Sequence, residues 1–216
     1  MSVRVLIADD HPVVRDGLRF SIERWGGDIE IVGEARDGME VLHLAKKYSI
    51  DVFVIDVAMP LLNGLDATRA LLRDHPAAKV IILSFHMTRS VVEEAFRAGA
   101  RGYVTKETAS RNIVKAIRET AAGRFYLSPD VAQFMVQSAF KGRASRANQR
   151  SGSLTTQERR VLQLIAEGKT SKEIASLLSL ATNTVHAHRK NLMAKLDVHK
   201  QTDLVRIALR EGIIGP

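Results

Sequence analysis

Asp51-Val52-Phe53-Val54-Ile55-Asp56 is a short run of β-branched and aromatic residues closed at both ends by an acid. It has no polar alternation, so it reads as a strand buried on both faces, the habit of parallel sheets. Four more such runs lie around it. Val3 to Ala8 ends in Asp9-Asp10, and a second run covers 29–34. Lys79 to Leu83 ends in Ser84, and Arg101 to Thr105 runs into Lys106. Side chains at the carboxyl ends of parallel strands converge on one edge of the sheet, where open α/β folds hold their ligands. Three carboxylates, one hydroxyl and one ammonium are therefore expected to meet at one point, which suits a divalent cation and a phosphoryl group.

Between these runs the apolar period changes to that of amphipathic helices, at about 12–25, 38–48, 64–74, 89–98 and 108–122. Strand and helix thus alternate five times, and a (βα)5 alternation predicts an α/β fold, a doubly wound parallel sheet with helices on both faces. Gly99 and Gly123 fall where helices should stop in a left-handed cap. Ser128-Pro129 opens a short helix to about Ala139, and residues 141–152 follow with four Lys/Arg, two glycines and no acid. That composition predicts a flexible basic tether. The rest is helical. Thr155 with Glu158 and Thr170 with Glu173 are two capping boxes, and further helices are expected at about 182–196 and 202–211. Two helices across a tight turn, inside a small four-helix unit, is the layout of a helix-turn-helix. The expected domains are 1–124, a linker at 125–152, and 153–216.

Composition narrows the function. At 216 residues, 45% hydrophobic and 26% charged, the chain suits two ordinary globular domains. No apolar run approaches the roughly 18–20 residues that span a bilayer. The N-terminus enters a strand directly, so no signal peptide is read. Cysteine is absent, which excludes thiolate chemistry and fits the cytoplasm. The net charge of +8 is uneven: residues 1–124 hold 18 Lys/Arg against 17 Asp/Glu, and 125–216 hold 14 against 7. A basic second part points to a nucleic-acid partner.

A hard cation such as Mg²⁺ takes oxygen ligands, typically one or two carboxylates plus phosphate oxygens. Asp10 and Asp56 suit direct ligation, with Asp9 orienting a water. A carboxylate can also be a nucleophile toward phosphorus. Residues 3–122 resemble the receiver domain of two-component response regulators, a flavodoxin-like fold. The resemblance is carried by Ala8-Asp9-Asp10-His11, by Asp56 with Met59-Pro60 and Asn63-Gly64, by Ser84, and by Gly102-Tyr103-Val104-Thr105-Lys106. It implies that Asp56 is phosphorylated by a sensor histidine kinase. It also implies that Asp9, Asp10, Asp56 and the backbone carbonyl of Ala58 hold Mg²⁺. Ser84 and Lys106 would bind the phosphoryl group, and Tyr103 would swing inward upon phosphorylation.

On the expected helix 182–196, with about 100° per residue, Leu192 and Leu196 share the direction of Val185 and form a buried stripe. Asn183, His186, Ala187, Lys190 and Ala194 point the other way, a short polar and basic face that suits a major groove. Thr184, Arg189 and Lys195 flank it and suit phosphates. His186 and His188, two apart, point in nearly opposite directions and do not share a metal. Ala181 stands where a capping hydroxyl is usual, and Thr182 is expected to take over that role. Residues 154–214 resemble the LuxR-type helix-turn-helix, through Leu154-Thr155, Glu158, Ile165-Ala166-Glu167-Gly168, Lys172-Glu173-Ile174-Ala175, Thr184-Val185, His188 and Asn191-Leu192-Met193. The whole chain thus resembles a NarL/FixJ-family response regulator. That implies a transcription regulator rather than an enzyme, which binds a double-stranded operator as a homodimer when phosphorylated. A metal-dependent phosphohydrolase is disfavoured because its acid/base two residues after the nucleophile is here Ala58. A nucleotide-binding domain is disfavoured because neither G-x-G-x-x-G nor a P-loop is present. The remaining alternative is a regulator that binds DNA without phosphorylation.

Overall fold

The structure, a computed structural model, describes residues 2–141, 154–198 and 200–215. Beyond Lys141, the expected basic tether lies outside the described residues. The chain divides into two compact units, Met1–Arg143 and Ala144–Pro216.

In the first unit the strands are β1 (Val3–Ala8), β2 (Ile29–Ala35), β3 (Val52–Asp56), β4 (Lys79–Ser84), β5 (Gly102–Thr105) and β6 (Tyr126–Leu127). They form one parallel sheet in the order β2-β1-β3-β4-β5-β6. The helices are α1 (Pro12–Trp25), α2 (Gly38–Lys47), α3 (Gly64–Asp74), α4 (Arg89–Arg97), α5 (Ala109–Ala121) and α6 (Pro129–Lys141). Strand alternation divides the core in two. Leu6, Phe53, Ile55, Ile82 and Tyr103 pack on one face with Val41, Leu71 and Val92, while Val5, Val52, Val54, Ile81 and Val104 pack on the other with Leu18, Ile22, Ile113 and Ile117. Each fully buried Leu or Ile contributes roughly 1.5–3 kcal/mol. Covering both faces leaves the carboxyl edge of the sheet as the exit for polar side chains.

The sixth strand was not expected. Two residues carry no readable period, but Tyr126 and Leu127 pair with Gly102 and Tyr103 once α5 has delivered them to the open edge of β5. Helix α6 belongs to the same unit, because Val131 is fully buried in the core that holds Tyr103, and Met135 packs against it. Helix ends follow local chemistry. Asp37 caps α2 through the amides of Met39 and Glu40, and Asn63 caps α3 through that of Asp66. Gly99 and Gly123 sit at φ 102° and 81° after α4 and α5.

The second unit is helical: α7 (Thr156–Ala166), α8 (Ser171–Leu178), α9 (Thr182–Lys195) and α10 (Gln201–Arg210). Both expected capping boxes form, at Thr155 with Glu158 and at Thr170 with Glu173. The turn between α8 and α9 is tight, with Ser179 left-handed at φ 53°. Val161, Leu162, Ile165, Ile174, Val185, Leu192, Leu204 and Ala208 make its core. Among the described residues no helix is long and apolar enough to cross a membrane.

Candidate functional site

β1 is followed by buried Asp9 and then by Asp10, β3 ends on buried Asp56, β4 ends on buried Ser84, and Lys106 follows β5. The sheet register does bring them together. The Lys106 ammonium lies 2.8 Å from Asp9 Oδ2 and 2.8 Å from Asp56 Oδ2. One ligand atom each from Asp9, Asp10, His11 and Asp56 lies within 4.8 Å of all the others. Burial raises the Asp56 carboxyl, the charge of Asp9 raises it further, and Lys106 only partly offsets them, leaving it pushed up to about 6. Burial alone would lower Lys106, but Asp56 and Asp9 outweigh it and hold the ammonium above its ordinary value.

Local sequence explains how Asp56 is presented. The loop after β3 turns back immediately, and the amide of Gly64 donates to the carbonyl of Val57 at 2.9 Å. A Cβ on Gly64 would lie 1.9 Å from the Asp56 carbonyl oxygen, so α3 can begin this close to the strand end only on glycine. The amide of Ala58 bonds the Asp56 carboxylate and lowers its pKa against the larger effect of burial.

His11 belongs to the motif Ala8-Asp9-Asp10-His11 but was given no role in the site. Its Nδ1 lies 2.7 Å from Asp10 Oδ1 and 3.3 Å from Asp9 Oδ1. The Ser84 hydroxyl accepts the amide of His86 at 3.0 Å, and the Tyr103 hydroxyl donates to the His86 carbonyl at 2.6 Å. Tyr103 was expected to swing inward upon phosphorylation. Its ring is fully buried in this structure, and burial pushes the phenol up to about 12. The ring packs in the same core as Val92 and Val131, and its hydroxyl has a carbonyl partner there.

The donor set fits a hard dication. Three carboxylates face one ammonium, and two buried carboxylate oxygens share it, so the pocket carries surplus negative charge in a low-dielectric setting. This is a receiver-type acidic cluster of the kind that binds Mg²⁺.

In the second unit, α9 buries Val185 and Leu192 and exposes Asn183, Thr184, His186, Ala187, Lys190 and Ala194. Two flanking cations have partners within the unit. Arg189 donates to the Ser171 hydroxyl at 2.9 Å and to Gln201 Oε1 at 2.6 Å, and Lys195 pairs with Glu158 at 2.7 Å. The expected cap at Thr182 does not form. Ala181 is the N-cap residue, it makes no side-chain cap, and its carbonyl takes the amides of Thr184 and Val185. Thr182 is already the first helical residue, so its hydroxyl is one position too late to close the first turn.

An acid-and-lysine site on a parallel sheet, followed by a basic unit with an exposed helix, defines a class: regulators that join a chemical input to nucleic-acid output. Comparison with known proteins identifies the family. Residues 5–118 match the response regulator receiver domain, and 152–208 match the bacterial regulatory proteins of the luxR family. The response regulator UvrY of Escherichia coli is 33% identical over 211 residues, covering 98% of this chain and 95% of UvrY. Salmonella enterica RcsB, solved bound to promoter P1flhDC with the phosphomimetic BeF3−, is 26% identical, covers 95% of this chain and 98% of its own, and has a TM-score of 0.70. A second RcsB structure, two dimers bound to two parallel DNAs, is 25% identical, covers 97% and 99%, and has a TM-score of 0.61. The chain belongs to the NarL/FixJ-family two-component response regulators, transcription regulators with a LuxR-type DNA-binding domain.

Proposed function

We propose that Asp56 accepts a phosphoryl group from a sensor histidine kinase, and that this releases the DNA-binding unit and promotes dimerisation on a two-half-site operator. The observation that carries the reading is Lys106 held between Asp9 and Asp56 at 2.8 Å from each. An Asp56 oxygen attacks phosphorus, the P–N bond to the kinase imidazole breaks with its electron pair going to nitrogen, and an aspartyl phosphate forms. The ammonium of Lys106 and the hydroxyl of Ser84 bind the transferred oxygens and offset their charge. Mg²⁺ held by Asp9, Asp10, Asp56 and the Ala58 carbonyl supplies the remaining positive charge when bound. Tyr103 is the aromatic that swings inward upon phosphorylation, and a buried slot with the His86 carbonyl as partner for its hydroxyl supports that role.

In this reading residues 1–124 carry the receiver's chemistry, 125–152 connect through β6 and α6, which pack on that unit, 153–216 bind DNA, and the protein works in the cytoplasm. Asn183, His186, Ala187 and Lys190 read base edges, Thr184 contacts phosphate, and Arg189 and Lys195 reach phosphate by leaving their present partners. On α10, Leu204 and Ala208 are core, while Val205 and Leu209 are only half-buried and form the seam between two copies. DNA binding and dimers in the RcsB structures support this reading.

The test is sizing and DNA capture with and without acetyl phosphate and Mg²⁺, for wild type and Asp56→Ala. A donor-dependent shift of wild type alone toward dimer and tighter DNA binding is expected. Equal binding by both proteins, indifferent to the donor, would hand the function to phosphorylation-independent DNA binding.

A further inference from the structure

β5 ends on Thr105, just before Lys106, and Thr105 has a second attachment. The Thr105 hydroxyl donates to Asp130 Oδ2, in the first turn of α6, and lies 2.8 Å from the Thr108 hydroxyl, which in turn reaches Asp130 Oδ1 at 3.5 Å. Thr108 is the N-cap residue of α5, yet it makes no side-chain cap, so its hydroxyl serves this cluster instead of the helix. Two strand positions away, the amide of Ser128 donates to the carbonyl of Tyr103 at 3.0 Å. Tyr103 and Thr105 alternate with Val104, so both face the side of the sheet where Val131 of α6 is buried. Burial alone would raise the Asp130 carboxyl, but hydroxyl donors and the first amides of α6 outweigh it and hold it below the ordinary carboxylate range. The carboxylate is therefore ionised and committed to this cluster.

We propose that Asp130 is a positioning residue that latches α6 to the end of β5, next to Lys106, so that the state of the acidic site is expressed as the seating of α6. The latch itself needs only the unphosphorylated protein; its release rests on Asp56 being the phosphoacceptor. Lys106 now bridges Asp9 and Asp56, and its amide donates to the Ser84 carbonyl at 2.9 Å. A phosphoryl group on Asp56 draws the ammonium toward its oxygens. Thr105 shares a planar peptide with Lys106 and moves with it. Hydroxyl bonds weaken steeply with displacement and misalignment, so a small shift of the strand end opens the Thr105–Asp130 bond. Helix α6 is the described element from which the chain continues toward the second unit, which makes it the place where such a release becomes output.

Hydrogen exchange of the full chain, read by mass spectrometry in peptides covering α6, tests both parts. In the unphosphorylated protein Thr105→Val and Asp130→Ala are each expected to speed exchange in α6 by about tenfold, with β1 and β3 unchanged. The double variant should be no faster than Asp130→Ala, because removing the carboxylate already removes the Thr105 bond. Thr105→Ser, which keeps the hydroxyl, should exchange as wild type does. Exchange in α6 within about twofold of wild type for both single variants, or rates that multiply in the double variant, would overturn the latch. Beryllium fluoride with Mg²⁺ should then speed α6 in wild type and add nothing in Thr105→Val. A wild type whose β4 and β5 respond while α6 does not would refute release. If β4 and β5 do not respond either, the Asp56 reading has failed and the latch stands or falls on the first comparison alone.

Discussion

Asp56 holds a charge where a charge is costly. It is buried beside Asp9, and its carboxyl is pushed up to about 6. A folded value above the unfolded 3.8 means that the native state holds its proton more tightly, so stability present below about 4 is lost as pH rises through about 6. Relative to Asp56→Asn, metal-free wild type is expected to lose stability over that window in urea titrations, and saturating Mg²⁺ should remove most of the difference. Gly64 is as constrained by its surroundings as Asp56 is by charge. Gly64→Ala sets a methyl 1.9 Å from the Asp56 carbonyl oxygen, and a loss of about 3 kcal/mol or more is expected in the same titration. The acids, Ser84 and Lys106 were legible because each stands at the end of an apolar run. His11, the Thr105–Asp130 bond and the inward ring of Tyr103 were not, since they depend on rotamers and on chain segments far apart in sequence.

Helix ends show how far local rules reach. Both capping boxes of the second unit form as their sequences dictate, because donor and acceptor lie three residues apart. α9 departs from that pattern: Ala181 has the extended N-cap conformation, φ −73° and ψ 145°, but no side-chain oxygen to use there. Ala181→Ser is therefore expected to stabilise the second unit by about 0.5–1 kcal/mol, measured as a higher melting temperature of its transition. A serine that left the transition unmoved would show that the first amides of α9 are already well satisfied. At the sheet edge the reverse holds. β6 has only two residues and no period of its own, and it exists because β5 offers unpaired backbone groups beside it.

Across the whole molecule, charge divides with function. The first 124 residues are nearly neutral and the last 92 carry seven surplus cations, a distribution that suits phosphate contact. DNA affinity is expected to fall linearly in log–log terms as salt rises, measured by anisotropy on a fixed duplex. Lys190→Ala should weaken binding by roughly 1–3 kcal/mol and relax preference at one base position, since Lys190 is exposed on the outer face of α9. Arg189 and Lys195 are held by Ser171, Gln201 and Glu158, so their contribution to the slope depends on exchanging those partners for phosphate.

The sequence by itself determined the element order, the parallel sheet and the four helices of the second unit, because hydrophobic period, glycine stops and capping boxes act over a few residues. It also determined which acids, hydroxyl and ammonium reach the sheet edge, since a strand's last residue must leave the core. Only the tertiary structure decided the seating of β6 and α6, the bond from Thr105 to Asp130, the buried Tyr103 and the partners of Arg189 and Lys195. Those features join residues that the chain brings together only by folding. Their energies come from burial and geometry, neither of which any local stretch of sequence specifies.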